Sequence, residues 1–268
     1  MDVIGIASGK GGVGKTATAV NLAVGLVMRG RKVMLFDADM GLANAQLALG
    51  CTTPFNFGHV ISGEKTLEEI IVTTRQGIRL VPGASGVQKL ASLDTLAAAA
   101  IVQAFSSIEE EFDFLIIDSA AGISSSVLTF MQASQRRLIV LQDEPSSIAD
   151  AYGTIKVLIN EYKLDEIYIV PNMVENQSAG CMLYNRINDV CVKFLGKSVK
   201  YLHSITHDEH MLAAARNYQS VLEFAPGGNA SRDFRKLAET VDSLDQTGMP
   251  SGGLQFFFER IIVDKRFK

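Results

Sequence analysis

Short apolar runs alternate along the chain with longer stretches in which apolar residues recur every three or four positions. The apolar runs lack polar alternation, which is typical of strands buried on both faces of a helix-covered parallel sheet. Predicted strands are Val3–Ala7, Lys32–Phe36, Ile78–Val81, Phe112–Ile117, Leu138–Leu141, Ile167–Val170 and Val199–His203. Predicted helices are Lys15–Arg29, Asp94–Glu110, Ser124–Ala133, Ser147–Glu161, Ser178–Phe194, His207–Asn217 and Ala230–Leu244. This alternation indicates an α/β fold, a doubly wound and mostly parallel sheet flanked by helices.

The composition changes once, late in the chain. Residues 246–253 are rich in Gly, Pro and Ser, which is the composition of a flexible linker. We therefore predict a domain at residues 1–245, a linker at 246–253 and a separate tail at 254–268.

Charge and cysteine content exclude several classes of protein. A net charge of -4 and a pI near 5.6 argue against a surface that binds nucleic acid throughout, and we expect no direct nucleic-acid binding. The three cysteines, Cys51, Cys181 and Cys191, are far apart, which suits a reducing cytoplasm and does not provide the spacing of an iron–sulfur site. We expect all three to be at least partly buried, since free cysteine packs like a small hydrophobe.

The strongest chemical signal is the segment Gly9-Lys10-Gly11-Gly12-Val13-Gly14-Lys15-Thr16. It matches the phosphate-binding pattern G-x-x-x-x-G-K-[ST] and lies between a predicted strand and a predicted helix, the context that this motif requires. Its glycines let backbone N–H groups surround phosphate oxygens, Lys15 would reach the β- and γ-phosphates, and Thr16 would ligate Mg²⁺. The expected nucleotide-binding residues of the loop are Gly11, Gly12, Val13, Gly14, Lys15, Thr16 and Ala17.

Acidic residues follow two of the predicted strands, at the edge where parallel sheets bind ligands. Asp37 and Asp39 follow the second strand, where Asp39 is a candidate to orient the attacking water and Asp37 a candidate for the Mg²⁺ shell. Capping of a following helix is the alternative role for this pair. Asp118 ends the apolar run Phe114–Ile117 as a Walker B acid does, and we predict that it binds Mg²⁺.

Two further positions are candidates for nucleotide contacts. The small residues after Asp118 permit close approach to a γ-phosphate, and the N–H group of Gly122 is a candidate sensor of it. Asn172 ends a later strand and offers both a donor and an acceptor for an adenine edge. A plain turn is the alternative role for this asparagine.

Lys10 narrows the interpretation, because an ordinary phosphate loop needs no second lysine. The string Lys10-Gly11-Gly12-Val13-Gly14-Lys15-Thr16 resembles the deviant Walker A motif of the MinD/ParA family. The resemblance implies a Mg²⁺-dependent ATPase that forms a homodimer around ATP, in which Lys10 reaches the partner's phosphates and acts with Lys15 and Asp39 in catalysis. It also implies that Asn172 reads adenine. A solvated Lys10 is the alternative.

The stretches around Asp37, Asp118 and Asp143–Tyr152 and the Gly-Gly-x-x-Phe-Phe tail resemble the flagellar-number subfamily, FlhG/FleN. This resemblance implies control of flagellar number and position, together with the GTPase FlhF, flagellar switch components and a transcriptional activator of flagellar genes. Members usually carry an N-terminal extension with a glutamine-bearing helix that stimulates the GTPase. The first predicted strand begins at Val3, so stimulation of FlhF stays open, as does a related protein with a different client.

The tail has the pattern of an amphipathic helix. Its apolar residues recur at spacings of three to five, and its other face carries four basic residues against two acids. Such a helix can lie in the headgroups of an anionic membrane, which predicts a cytoplasmic protein reversibly bound to the inner face of the cell membrane. The alternative is that the helix packs on its own domain or on a partner. The two combine if a monomer groove hides the helix until ATP-driven dimerisation releases it.

The main hypothesis is an ATP-hydrolysing spatial regulator, and three alternative functions are open. A nucleotide-gated scaffold would bind ATP with negligible turnover, and a ParA-like DNA partitioner would need a basic face. A MinD-like positioning ATPase with another client is the remaining alternative.

Overall fold

The computed structural model describes residues 1–39, 43–84, 95–245 and 256. Its strands are β1 Asp2–Ala7, β2 Val33–Ala38, β3 Val72–Thr73, β4 Arg79–Val81, β5 Phe114–Ser119, β6 Arg136–Leu141, β7 Ile167–Val174, β8 Lys200–Tyr201 and β9 Ile205–Thr206. Its α-helices are α1 Lys15–Met28, α2 Ala45–Ala48, α3 Phe57–Ile61, α4 Leu67–Ile70, α5 Thr95–Ala104, α6 Ser125–Ala133, α7 Pro145–Asn160, α8 Gln177–Leu195, α9 His210–Arg216, α10 Val221–Phe224 and α11 Asn229–Asp242. A turn of 3₁₀ helix, Phe105–Ser107, follows α5.

One sheet runs through the described parts of the chain, with the strand order β3-β4-β2-β5-β1-β6-β7-β8 and with β9 paired to β7. All pairs are parallel except β3 with β4 at the edge. The prediction of a mostly parallel, doubly wound α/β fold is therefore confirmed. The strand that precedes the phosphate loop, β1, lies in the middle of this sheet, between β5 and β6.

Helices cover both faces of the sheet, as the apolar strands require. Alternate residues of a strand enter different cores: Val33 and Leu35 of β2 pack with α1 and α11, whereas Met34 and Phe36 pack on the side of α5 and α6. A third cluster packs residues of β6 and β7 against α7 and α8. Burial on both faces explains why the strand sequences show no polar alternation.

Several strands extend further than predicted, and the extensions contain the candidate site residues. Asp37 lies within β2 and Asp118 within β5, where the two residues are register partners. Asn172 lies within β7, opposite Ile205 of β9. The predicted ends were too early because apolar content ends before backbone pairing does.

Other differences concern short or polar elements. The strand predicted at Val199–His203 is reduced to β8 and followed by the unpredicted β9, and α9 is shorter than the helix predicted at His207–Asn217. The expectation for Cys181 was wrong: it is exposed on α8, whereas Cys51 is half-buried and Cys191 is buried.

The end of the chain lies largely outside the described residues, including the linker at 246–253 and the tail from 254 except Phe256. Phe256 is buried in the core that holds α5 and α6. The centroid of its ring lies 5.0 Å from that of Phe105, in an edge-on arrangement, and 6.5 Å from that of Phe130. At least one tail residue is thus part of the domain's core. Within the described parts of the chain, no helix is both long and apolar enough to cross a bilayer.

Candidate nucleotide-binding site

The predicted site residues come together at one edge of the sheet, where the parallel strands end. The loop between β1 and α1 forms the centre, with the ends of β2 and β5 on one side and those of β6 and β7 on the other. The carboxyl edge of such a sheet is where ligands bind in α/β folds. Sequence positions from both halves of the chain therefore build one site.

Glycine is required in the loop for two different reasons. Gly12 and Gly14 have φ of 81° and 89°, a left-handed conformation that side chains rarely adopt. At Gly9 the limit is space, because a Cβ atom there would lie 2.3 Å from the backbone carbon of Asp150 in α7. A Cβ atom added to Gly11 would have no other atom within 4 Å. The loop is thus packed against α7 at its start and exposed at its tip.

Lys15 turns into the protein and pairs with Asp118. Its Nζ lies 2.9 Å from Asp118 Oδ1, and both side chains are buried. The second carboxylate oxygen, Asp118 Oδ2, is buried and has no hydrogen-bond partner among the described residues. A buried carboxylate oxygen without a donor is a suitable ligand for a hard cation, directly or through water, so the residues present fit the predicted Mg²⁺. Thr16, the third predicted ligand, follows Lys15 and is half-buried in the first turn of α1.

Asp37 is the second buried carboxylate of the site. It accepts hydrogen bonds from the backbone N–H groups of Ala45, at 2.9 Å, and Asp39, at 3.3 Å. Burial, together with the negative charge of Asp118, raises the pKa of Asp37 to about 7. A cation between the two carboxylates would oppose this effect. Ala45 is the first residue of α2, so Asp37 also accepts a hydrogen bond from the start of that helix, as the alternative role in capping predicted.

Asp39 follows β2 directly and is half-buried at the rim of the site. The positions after it, 40–42, are not among the described residues. Its place beside Asp37 is compatible with the predicted role in orienting water, which stays a prediction.

Lys10 turns outward, away from Lys15. Its Nζ donates to Glu144 Oε2 at 3.0 Å and to Ser146 Oγ at 3.1 Å, and the lysine side chain is 42% exposed. The two partners flank Pro145, the first residue of α7. No role was predicted for Glu144 or Ser146, although both lie in the segment Asp143–Tyr152 that carries the subfamily resemblance and follows a predicted strand.

The N–H group of Gly122 is engaged within the protein in this structure. It donates to the carbonyl oxygen of Ser8 at 2.9 Å. Gly122 has a φ of 89°, and a Cβ atom there would meet nothing within 4 Å. To bind a γ-phosphate, as predicted, this N–H group must exchange its partner.

Asn172 is buried against the loop, and its amide already has one partner. Its Nδ2 donates to the carbonyl oxygen of Val13 at 2.7 Å. A Cβ atom on Gly14 would lie 2.2 Å from the same nitrogen. The alternative of a plain turn is wrong, because Asn172 lies within β7. The bond to Val13 uses one of the two N–H groups of this amide, and the second N–H and Oδ1 remain for a base, so the two-point contact to adenine stays a prediction.

Comparisons with known proteins agree with this geometry. Residues 1–175 match the family described as AAA domain. The chain is 39% identical over 262 residues to the antiactivator FleN of Pseudomonas aeruginosa, covering 98% of this chain and 94% of that protein. It is 34% identical over 263 residues to the flagellum site-determining protein YlxH of Helicobacter pylori, covering 97% and 89%. Among solved structures, the septum site-determining protein MinD of Pyrococcus horikoshii complexed with Mg-ADP superposes with a TM-score of 0.76 at 26% identity, covering 90% of this chain and 96% of that one.

Proposed function

The chain belongs to the MinD/ParA family of P-loop ATPases, and on that premise we propose that it is an ATP-hydrolysing regulator that dimerises around ATP and controls flagellar number and placement at the membrane. The ATP-binding domain and the relation to FleN and YlxH are the foundation. Dimerisation, membrane binding and the flagellar client are the proposal.

One observation carries the proposal of a dimer: the two lysines of the loop point in opposite directions. Lys15 is directed into its own site, where it pairs with Asp118, whereas Lys10 is at the surface with Glu144. An exposed ion pair contributes little, about 0–1 kcal/mol, so Lys10 can leave Glu144 at small cost. A partner's triphosphate offers it a stronger charge-assisted contact. The γ-phosphate would then control association.

The other residues divide the work of hydrolysis. Backbone N–H groups of residues 11–17 and Lys15 hold the phosphates, and Asp39 orients water for in-line attack. Thr16, Asp37 and Asp118 would hold Mg²⁺, which supplies positive charge to the phosphate oxygens when bound.

Two substitutions separate this cycle from a nucleotide-gated scaffold. Lys15→Ala should abolish the ATP-dependent dimer, whereas Asp39→Ala should trap it by stopping turnover. Light scattering after gel filtration measures the dimer, and phosphate release measures turnover. Lys236→Ala, on the exposed face of α11, is the matched control and should change neither. If Asp39→Ala releases phosphate at the wild-type rate, or if the wild-type protein stays monomeric at saturating ATP, the proposal is wrong.

Membrane binding is assigned to residues 254–268. Four basic residues there outnumber two acids, and each basic residue near an anionic surface contributes about 1 kcal/mol. The burial of Phe256 supports the idea that the tail is held on the domain until it is released. Two tails in a dimer would bind together more tightly than one.

Vesicle binding tests this part. The full chain should sediment with anionic vesicles in ATP and much less in ADP, whereas a chain that ends after Phe256 should not sediment in either. Ending after Phe256 retains the aromatic residue that belongs to the core. Equal sedimentation of both chains would exclude the tail as the anchor, and binding in ADP as strong as in ATP would exclude control by nucleotide.

The client is proposed from the two flagellar relatives. Partners of the kinds expected are an FlhF-type GTPase, flagellar switch components and a flagellar transcriptional activator. Counting and locating flagella in a deletion strain tests the client directly. Unchanged flagellar number and position would favour a MinD-like positioning ATPase for another cargo. That result would contradict the flagellar client but not the ATP-dependent cycle.

A further inference from the structure

The outer side of the phosphate loop presents backbone carbonyl groups, and three side chains from separate strand ends donate to them. Ser8 Oγ donates to the carbonyl of Lys10 at 3.0 Å, and Gln142 Nε2 donates to that of Gly12 at 3.4 Å. Asn172 Nδ2 donates to that of Val13 at 2.7 Å. Ser8 follows β1, Gln142 follows β6 and Asn172 lies in β7.

These contacts matter because a trans peptide is planar. Its C=O and N–H groups point in opposite directions, so fixing the carbonyl outward fixes the following N–H inward. The carbonyls of Lys10, Gly12 and Val13 belong to the peptides whose N–H groups are those of Gly11, Val13 and Gly14. Inward N–H groups are the donors that bind phosphate oxygens in such a loop.

The burial of the three donors differs. Ser8 is fully buried and Asn172 is 4% exposed, so neither has ready access to water as an alternative partner. Gln142 is half-buried, its bond to Gly12 is longer, and its amide also donates to Met173 Sδ at 2.9 Å. Asn172 and Ser8 should therefore contribute more than Gln142.

We propose that Ser8, Gln142 and Asn172 are positioning residues that preorganise the loop for triphosphate binding, independently of the base. This inference rests on the proposed ATP binding and refines it. For Asn172 it assigns a role that needs no contact to adenine: one N–H of the side-chain amide holds the loop at the carbonyl of Val13.

A ligand without a base separates the two roles of Asn172. Titration calorimetry would compare Mg²⁺–ATP with Mg²⁺–tripolyphosphate for the wild type, Asn172→Leu, Gln142→Met and Ser8→Ala. Asn217→Leu is the matched control, because Asn217 Nδ2 also donates to a backbone carbonyl, that of Ala213, at 2.8 Å on the exposed end of α9. Thermal unfolding without nucleotide checks that each variant folds.

We expect Asn172→Leu and Ser8→Ala to weaken both ligands by a similar factor, about five- to tenfold, and Gln142→Met by about threefold. The control should match the wild type. If Asn172→Leu weakens ATP but leaves tripolyphosphate unchanged, the amide reads the base and the inference is wrong. Should Asn172→Leu not fold, the other two variants decide, and unchanged tripolyphosphate affinity in both overturns the inference.

Failure of the proposed function gives a different result. A wild-type protein that binds neither ligand would contradict ATP binding itself. A wild-type protein that binds ATP but no tripolyphosphate would overturn only the inference, because a preorganised loop should bind phosphates without the base.

Discussion

Asp37 carries a charge in a place that disfavours it, and stability should depend on pH as a result. Its pKa is about 7 in the folded, metal-free protein, above the ordinary value of 3.8, so the folded state binds more protons than the unfolded state between these values. Between about pH 4 and 7 this carboxyl is ionised in the unfolded chain but still largely protonated in the folded protein. The free energy of unfolding therefore falls as pH rises through this range.

We predict that Asp37→Asn raises the stability of the nucleotide-free protein above pH 7, by on the order of 3 kcal/mol, with the gain shrinking toward pH 5. Urea unfolding at pH 5 and pH 8 measures this difference. Asp165→Asn, at an exposed carboxylate paired with Lys197, is the control and should show no such trend. A gain that is the same at both pH values would contradict the pKa assignment. The variant should also lose the extra stability that Mg²⁺–ATP gives the wild type.

Glu144 holds Lys10 when the protein is alone, and removing its charge should favour the dimer. Glu144→Gln is expected to lower the ATP concentration at half-maximal dimerisation by about two- to threefold, a small effect because the pair is exposed. Analytical ultracentrifugation across an ATP series gives this midpoint.

Asp143→Asn is the matched control. Asp143 is the neighbouring acid, and it pairs with Arg186 of α8 rather than with Lys10. A higher midpoint in Glu144→Gln, or an equal shift in both variants, would show that Glu144 does not compete for Lys10.

At the scale of elements, the contact between the loop and α7 depends on one missing side chain. Gly9→Ala places a Cβ atom 2.3 Å from the Asp150 backbone, which cannot yield as a flexible side chain would. We expect a loss of about 1–3 kcal/mol of stability without nucleotide. Gly11→Ala, with nothing within 4 Å of the added atom, should stay within about 0.5 kcal/mol of the wild type. Thermal unfolding of the two variants compares them, and equal melting temperatures would rule out this packing.

The elements with strong apolar periodicity could be predicted from the sequence, and so could the motif residues between them. The parallel sheet, α1 and the meeting of the loop with Asp118 follow from buried strands that end at one edge. Short elements such as α3 and β9 could not be predicted, because they contain too few residues for a period. Contacts such as that of Lys10 with Glu144 join positions 134 residues apart, and only the fold brings them together.

At the scale of the whole molecule, Phe256 connects the end of the chain to the core. Phe256→Ala should cost about 3–5 kcal/mol, because the cavity would lie between the rings of Phe105 and Phe130. Urea unfolding measures the loss. Phe224→Ala, at a ring 36% exposed, is the control and should cost clearly less. Equal losses would mean that Phe256 does not pack in the domain.

The three donors to the loop are spread from position 8 to position 172. An anion-binding octapeptide of this sequence is therefore not a portable module. Transplanted into a foreign turn, its carbonyls would lack their donors and be free to swing toward the anion and repel it. Affinity for phosphate should therefore appear only once β6 and β7, which lie far downstream in the sequence, have folded into the sheet beside the loop.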